Sequence, residues 1–422
     1  MLGGRIVMKK MIAMILAAMM LLSLGIAMAE DQVLTIVAWD ANTTGYLTAQ
    51  KEAYEASHPG VTIEYIDVSS QDYDTKVAAM LAGGDTSDIY MVKDIPALLN
   101  WYDAGYTTNL NDYMTTANYD LSGFVGMETN YAVDGKQIAL PFRSDFEILF
   151  YNKDLFDAAG VEYPNNEMSW EEYKEKALAV ADPSKEIYGT HYHTWLSTAV
   201  NYTVADGVNT LIDGEYSDLA YFYEIIQELE DAEACMAYNE ISAAGLHYSG
   251  PFGNGNIAMM PMGYWYVATL ITNIQEGTYN VKNWGLASMP TKEGVAAGST
   301  FGNLTGAMIN EKSEKKDLAF DYIAWLCGEE GSKVTASTGN RPAWVSEGVA
   351  DVMSAIDGFP TDEGSKAALL PTYVAIEIPG SEYSSQISSI LGEEHSAIMT
   401  REITIEEGIE NMNERVQELL GK

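Results

Sequence analysis

Strands and helices alternate from residue 33 onward, and this alternation restricts the possible folds more than any other feature of the sequence. Strand, helix, strand, helix and strand are predicted in succession over residues 33–39, 45–57, 61–66, 73–81 and 87–92. The first helix is expected to end at His58-Pro59-Gly60. This order is typical of a parallel sheet with helices on both faces. We therefore predict an α/β protein whose ligands bind beyond the carboxyl ends of the strands.

The remainder of the chain is more helical. Ser169 and Glu172 form a predicted capping box that opens a helix through Val180. Amphipathic helices are predicted over 218–231 and 405–420, and further strands over 256–260 and 283–287. A chain of 422 residues with 47% hydrophobic residues can bury a sizeable interior and suits two lobes better than one core.

Residues 1–29 have the pattern of a signal peptide: a basic start, an apolar run and the small-residue site Ala27-Met28-Ala29. Such a peptide directs export to the periplasm or the medium, and cleavage is expected after Ala29. A lipoprotein needs a cysteine at the cleavage point, and the chain has only Cys235 and Cys327. These two could form a disulfide in an oxidising compartment. The stronger interpretation is a buried Cys327, because it shares one helical face with Phe320 and Ile323.

The formal net charge of −38 makes nucleic acids and anionic membrane surfaces unsuitable partners, because a polyanion is repelled by both. The charge does not identify the ligand, since a few placed groups can reverse the local field of a pocket.

Five segments, in order, resemble the extracellular solute-binding proteins of ABC sugar importers, the family that includes maltose-binding protein. They are LTIVAWDANTTG…KEAYEASHPGVTIEYI, YDTKVAAMLAGGDTSDIYMV, ALPFRSDFEILFYNKDLFDAAGV, FGNGNIAMMPMGYW and EKKDLAFDYIAWLCGEEG…STGNRPAW. Each motif alone is weak, but the five together cover almost all of residues 33–420 and are specific.

The resemblance implies a type II periplasmic-binding-protein fold, in which two α/β lobes joined by hinge crossovers close on the ligand like a Venus flytrap. One lobe is expected over 33–143 plus 305–345, and the other over 146–302 plus 346–422. The implied function is to capture a mono- or oligosaccharide and to deliver it to the permease of an ABC importer. We expect a monomer with no cofactor, no metal and no catalytic residues.

The first candidate ligand-binding residues follow strands of the predicted sheet. Trp39 and Asp40 end the first strand, and Asp94 follows the third. The resemblance places all three at the cleft, where an aromatic plane can pack on a sugar ring and a carboxylate can pair with hydroxyls. The alternative for Trp39 is a core position. For Asp40 and Asp94 the alternative is helix capping.

Further candidates lie at the crossovers between the lobes. Arg143 and Asp145 fall in the first crossover, Asn303 lies near the second, and Arg341 is in the last matching segment. The chain after Ala29 has four arginines, and two of them are in this set. An acidic chain that uses arginine so sparingly favours a specific role for them over a surface role.

Trp265 is the candidate on which the resemblance bears most directly, because relatives stack an aromatic ring on the sugar at this strand-to-helix turn. It follows Gly263, and Tyr264 or Tyr266 could serve in its place. The alternative is a purely structural tryptophan.

Two other functions stay open at this point. One is a secreted carbohydrate-active enzyme, which needs a pair of carboxylates. A chain with 61 acidic residues contains such pairs by chance, so their presence is no evidence for an enzyme. His191 and His193 could share a metal, but no third imidazole completes a recognisable site, so a polar loop is the simpler interpretation. The more serious alternative is a binding protein for a polyamine or another small cation, since carboxylates and aromatic rings also suit cations.

Overall fold

The computed structural model describes residues 32–422 apart from residues 43, 70–71, 247–248, 378 and 382 and the side chain of residue 249. The predicted signal peptide over residues 1–29 lies outside the described residues.

Eleven strands and sixteen α-helices make up the described part of the chain. The strands are β1 Gln32–Trp39, β2 Val61–Val68, β3 Ile89–Val92, β4 Ala132–Val133, β5 Lys136–Gln137, β6 Leu140–Asn152, β7 Tyr188–Thr190, β8 Ile257–Gly263, β9 Trp284–Ala287, β10 Ser299–Ile309 and β11 Tyr373–Ile376. The helices are α1 Gly45–Ser57, α2 Tyr73–Gly83, α3 Ile95–Asp103, α4 Asn111–Ala117, α5 Lys153–Ala159, α6 Trp170–Val180, α7 Leu219–Asp231, α8 Tyr238–Ala244, α9 Ser249–Gly253, α10 Tyr266–Glu276, α11 Lys316–Cys327, α12 Glu329–Ser337, α13 Glu347–Ser354, α14 Glu363–Ala367, α15 Ser384–Met399 and α16 Ile405–Leu419.

The main sheet confirms the α/β class but is mixed rather than parallel. Its strand order is β2-β1-β3-β10-β6-β8-β7, with β11 beside β10 and β9 beside β6. The predicted parallel pairing holds for β1 with β2 and β3. It fails at β10, which runs antiparallel to both β3 and β6. Strand β6 therefore runs in the same direction as β3, and β10 is reversed between them.

Two long strands join the halves of the sheet. Strand β6 pairs with β10 along residues 140–146 and then with β8 and β9 along residues 147–152. Both strands contribute side chains to two separate hydrophobic cores: Leu149 and Phe301 to one, Phe150 and Leu304 to the other. Successive side chains of a strand face opposite sides of the sheet, so the two cores lie on the two faces of β6 and β10.

Local signals account for several helix ends. Helix α1 ends at Ser57, as predicted, and α6 begins with the Ser169–Glu172 capping box. Strand β3 starts at Ile89 rather than Ser87, because the Ser87 N–H donates to the Asp85 carboxylate and the Asp88 N–H to Thr35.

The cysteines are both free and buried, as the core interpretation of Cys327 predicts. Phe320 and Ile323 lie in the same core as Cys327.

Candidate functional site

A cavity of about 310 Å³ lies where β3 ends and the two long strands cross. Four of the predicted ligand-binding residues line it: Asp94, Arg143, Asp145 and Asn303. Its other lining residues are Lys93, Ile95, Pro96, Leu304, Thr305 and Ile376. The volume is in the range of sites that hold a small ligand. A groove of similar size between α4 and α11 is mostly apolar, and none of the predicted site residues lines it.

Asp94 caps a helix, as one interpretation of the sequence predicts, and its ligand-binding role stays a prediction. Its carboxylate accepts the Ala97 N–H at 2.8 Å and so caps helix α3. The same residue lines the cavity. Capping uses one carboxylate oxygen, which leaves lone pairs for a ligand.

Arg143 and Asp145 form an ion pair across one face of β6. Arg143 Nη2 lies 3.4 Å from Asp145 Oδ2, and the guanidinium carbon lies 5.2 Å from the ring centre of Tyr46. Burial raises the pKa of Asp145, and the charges of Arg143 and Arg341 oppose that shift. The pair is about one-fifth exposed on each side, so its donors and acceptors stay accessible from the cavity.

Arg341 is buried, at 1% exposure, and does not line the cavity. Its guanidinium carbon lies 3.9 Å from the ring centre of Phe146, and its Nη1 donates to Met353 Sδ at 3.7 Å. Burial lowers the pKa of Arg341 to about 9, so the group stays charged at neutral pH. Within the described chain, Nε and Nη2 of Arg341 and the Tyr264 hydroxyl have no hydrogen-bond partner.

Two glutamates that the sequence analysis did not single out stand beside the cavity. Asn303 donates to Glu377 Oε2 at 2.8 Å, and burial with the nearby Asp145 raises the pKa of Glu377 to about 7. Burial together with Glu377 and Asp145 raises the pKa of Glu147 well above its usual value. Glu147 could have been found from its position, since it lies on the same face of β6 as Asp145. Glu377 is distant in sequence from both, so no local pattern identifies it.

Trp265 sits at the carboxyl end of β8, at the start of α10. Its indole lies directly over Gly263, so closely that a Cβ on residue 263 would overlap the ring. The ring is partly buried against the core. Gly263 pairs with Glu147 across β6 and β8, which brings Trp265 to the same edge of the sheet as the glutamate.

The remaining predicted residues lie outside the cavity lining. Tyr266 is fully buried, and its ring packs 5.2 Å from that of Phe150, in the core. Trp39 is partly buried, and its ring lies 5.2 Å from Tyr73 in an edge arrangement. Asp40 has a positive φ of 49°, and its N–H donates to the Val68 carbonyl. Their ligand-binding roles stay predictions.

A loop after β7 supplies an aromatic pair that the sequence analysis treated as a polar loop. The rings of His193 and Trp195 lie 4.0 Å apart, and Trp195 is 38% exposed. Because β7 and β8 are parallel, this loop and Trp265 leave the sheet at the same edge. The signal available in the sequence was an aromatic residue directly after a strand. His191 is instead fully buried, and burial lowers its pKa to about 4.

The described residues contain neither a metal-binding cluster nor a membrane-spanning helix. No group of three or more His, Cys, Asp or Glu side chains there could hold a metal ion. None of the helices in that part of the chain has the length and apolar character needed to cross a membrane.

Comparison with known proteins agrees with this architecture. Residues 40–333 match the model of the family described as bacterial extracellular solute-binding protein. A sugar transporter from Rhizobium etli, solved in an open conformation, is 38% identical to this chain. The match covers 91% of this chain and 99% of that one, with a TM-score of 0.89.

More distant proteins are similar over most of their length. A lactose-binding protein of Rhizobium radiobacter is 23% identical, over 75% of this chain and 74% of that protein. The sugar-binding protein MalE from Xanthomonas citri is 16% identical to this chain, with a TM-score of 0.73. That match covers 92% of this chain and 98% of MalE. The MalE match shows a shared fold alone.

Proposed function

The chain belongs to the bacterial extracellular solute-binding proteins, a family that binds sugars and works with ABC permeases, and we propose that its own sugar binds in the cavity beside Asp145. It has the two-lobed fold of these proteins and is a binding protein, not an enzyme. The proposed ligand is a mono- or oligosaccharide held between the lobes and then released to the permease.

The observation that carries the proposal is the polar cluster on the two crossover strands. Arg143, Asp145 and Asn303 line one cavity, and β6 and β10 pair Asp145 directly with Asn303. A sugar hydroxyl both donates and accepts, so a guanidinium, a carboxylate and an amide in fixed positions can pair with neighbouring hydroxyls. Positioning on strands rather than loops keeps that geometry fixed.

Aromatic rings at the sheet edge would supply the second half of a sugar site. We assign ring stacking to Trp265, with Trp39 and the His193–Trp195 pair as further faces. The edge of β8 that carries Trp265 adjoins Glu147 and hence Asp145. Stacking covers the C–H face of a sugar while the polar cluster binds its rim.

The division into lobes belongs to the same proposal. One lobe comprises 33–143 plus 305–345 and the other 146–302 plus 346–422, so that β6 and β10 act as hinges. The contacts favour a later final boundary than residue 345: α13 packs on α12 and α14 packs on β9, so we place the last crossing between residues 354 and 363. Closure about these strands would bring Trp265 and Asp94 to one ligand.

We further propose that the protein works outside the cytoplasm as a monomer, with residues 1–29 removed after Ala29. The permease is its protein partner, and nucleic acid is not a partner.

Calorimetric titration of the Asp145→Asn variant tests the site. A sugar that raises the melting temperature of the wild-type protein identifies a ligand, because binding to the native state alone stabilises it. Asp145→Asn should weaken that sugar's binding by about tenfold or more, since a charge-assisted hydrogen bond is lost. Asp112→Asn, an exposed position on α4, is the matched control and should bind like the wild type. Equal affinity of both variants for the sugar would show that Asp145 does not contribute to binding.

A further inference from the structure

Glu147 is a buried carboxylate without a partner. It is 4% exposed, and among the described residues its side chain receives no hydrogen bond and meets no cation. The titratable groups that influence it are Asp145 on the same strand, Glu377 after β11, and Tyr202. Two of these three are acids, so the surroundings of Glu147 add negative charge instead of balancing it.

The protein treats its other buried carboxylates differently. Asp88 accepts hydrogen bonds from Thr35 and Ser313, and Lys315 lies 3.3 Å away. Glu394 accepts from Asn411 at 3.0 Å and pairs with Arg415 at 2.6 Å. Burial of an unpaired charge is costly, and at both sites hydrogen-bond donors and a nearby cation offset that cost. Among the described residues, the Glu147 carboxylate has neither a donor nor a cation beside it.

No cation is among the groups that shift the pKa of Glu147. Arg143 pairs with Asp145, and Arg341 stacks on Phe146. The charge of Lys93 acts on Asp74. Glu377 receives one neutral donor, the Asn303 amide. Within the described part of the chain, the pair Glu147 and Glu377 therefore has no countercharge, although Glu377 follows Ile376 at the wall of the cavity.

We propose that the missing countercharge comes with the ligand: the protein binds an amino sugar, whose protonated amino group lies between Glu147 and Glu377. The Glu377 N–H donates to the Gly302 carbonyl, and Gly302 pairs with Phe146, so the two glutamates lie on neighbouring backbone segments. An ammonium group offers three donors and one positive charge, which suits two neighbouring carboxylates. The hydroxyls of the same sugar pair with Arg143, Asp145 and Asn303. The inference rests on the proposed carbohydrate function and names the class of sugar.

The test is calorimetric titration of the mature protein at pH 6.5 with glucosamine, galactosamine and mannosamine. Each is compared with its neutral parent hexose and its N-acetyl form, and spermidine serves as a cation without a sugar ring. At least one amino sugar should bind about tenfold more tightly than its parent and its N-acetyl form. Binding should also release about one proton per ligand, measured in buffers of different ionisation enthalpy, because the ammonium ionises the carboxyl pair.

Glu147→Gln and Glu377→Gln keep the size of each side chain and remove its charge. Both should abolish the preference for the amino sugar and the proton release, while binding of the neutral parent changes less than about threefold. Glu402→Gln, at an exposed position, is the control and should keep both. The melting temperature of ligand-free Glu147→Gln should equal or exceed that of the wild type, which shows that the variant folds.

The outcomes separate this inference from the function it rests on. If neutral or N-acetylated sugars bind as tightly as the amino sugars, the amino-sugar inference is wrong and the sugar site stands. If spermidine binds more tightly than every sugar, the ligand is a polyamine and both proposals are wrong. If no sugar binds, both are wrong as well.

Discussion

At the residue scale, Trp265 and Tyr266 are neighbours with opposite surroundings, and this contrast allows a paired test. Trp265 is partly buried at the sheet edge, whereas Tyr266 is fully buried against Phe150. Trp265→Ala should cost about 2–4 kcal/mol of ligand binding, as aromatic hot spots do. Tyr266→Ala should instead cost about 3–5 kcal/mol of folding stability, as core truncations do. Titration and thermal unfolding of both variants measure the two effects. Unchanged affinity with lowered stability in Trp265→Ala would make Trp265 a structural residue.

Glu377 should make the stability of the ligand-free protein depend on pH. Burial and Asp145 raise its pKa from 4.5 to about 7. Between these values the folded state binds more protons than the unfolded chain, so the free energy of unfolding falls as pH rises and levels off above about pH 7. The fall attributable to Glu377 is up to about 3 kcal/mol. In melting curves from pH 4.5 to 8, the stability of Glu377→Gln relative to the wild type should rise as the pH rises. Glu402→Gln is the control and should follow the wild type. The same pH dependence in wild type and Glu377→Gln would contradict this prediction.

Sequence patterns identified single residues well where the cause is local. Asp94 was predicted either to cap a helix or to contact ligand, and it caps α3 while lining the cavity. Arg341 was expected at the cleft, yet it is buried over Phe146. The segment that carries Arg341 runs beside β6, where the Ser144 N–H donates to its carbonyl. That placement depends on pairing between residues about 200 apart, which no local pattern contains.

At the element scale, the β8–α10 turn depends on a glycine for space rather than for backbone freedom. The Trp265 indole covers Gly263, and any side chain at 263 would overlap it. Gly263→Ala should therefore displace the ring and lower ligand affinity by about tenfold or more. Gly392→Ala is the matched control, because its Cβ would enter open space within α15. That control should gain about 0.5–1 kcal/mol in stability and keep its affinity. Wild-type affinity in Gly263→Ala would show that ring position does not matter.

Helix α6 was predicted from its capping box, and α1 from the His58-Pro59-Gly60 sequence that follows it. Helices α1, α6 and α7 agree with the predictions to within a residue. Strand β10 was not predicted as a strand, although it is the centre of the sheet. Its sequence STFGNLTGAMI contains two glycines, and local propensity therefore argues against a strand. Pairing with β3, β6 and β11 overrides that propensity.

At the scale of the whole molecule, two hydrophobic cores share the strands that connect them. Leu149 and Phe150 are adjacent on β6 but belong to different cores, and so do Phe301 and Leu304 on β10. The cores do not follow the proposed lobes, because the larger one contains Leu34 of the first lobe and Leu270 of the second. Hinge motion needs a few residues that absorb the change in backbone angles, and paired strands at the junction provide them.

Closure of the lobes is the prediction that belongs to this scale. A saturating sugar should lower the radius of gyration measured by small-angle X-ray scattering, because ligand contacts on both lobes favour the closed arrangement. The far-UV circular dichroism should stay constant, since each lobe keeps its secondary structure while the hinges absorb the motion. Trp265→Ala at the same sugar concentration should keep the ligand-free radius, because it binds less sugar. Identical scattering with and without a sugar that calorimetry shows to be bound would contradict closure and would place the sugar on one lobe only.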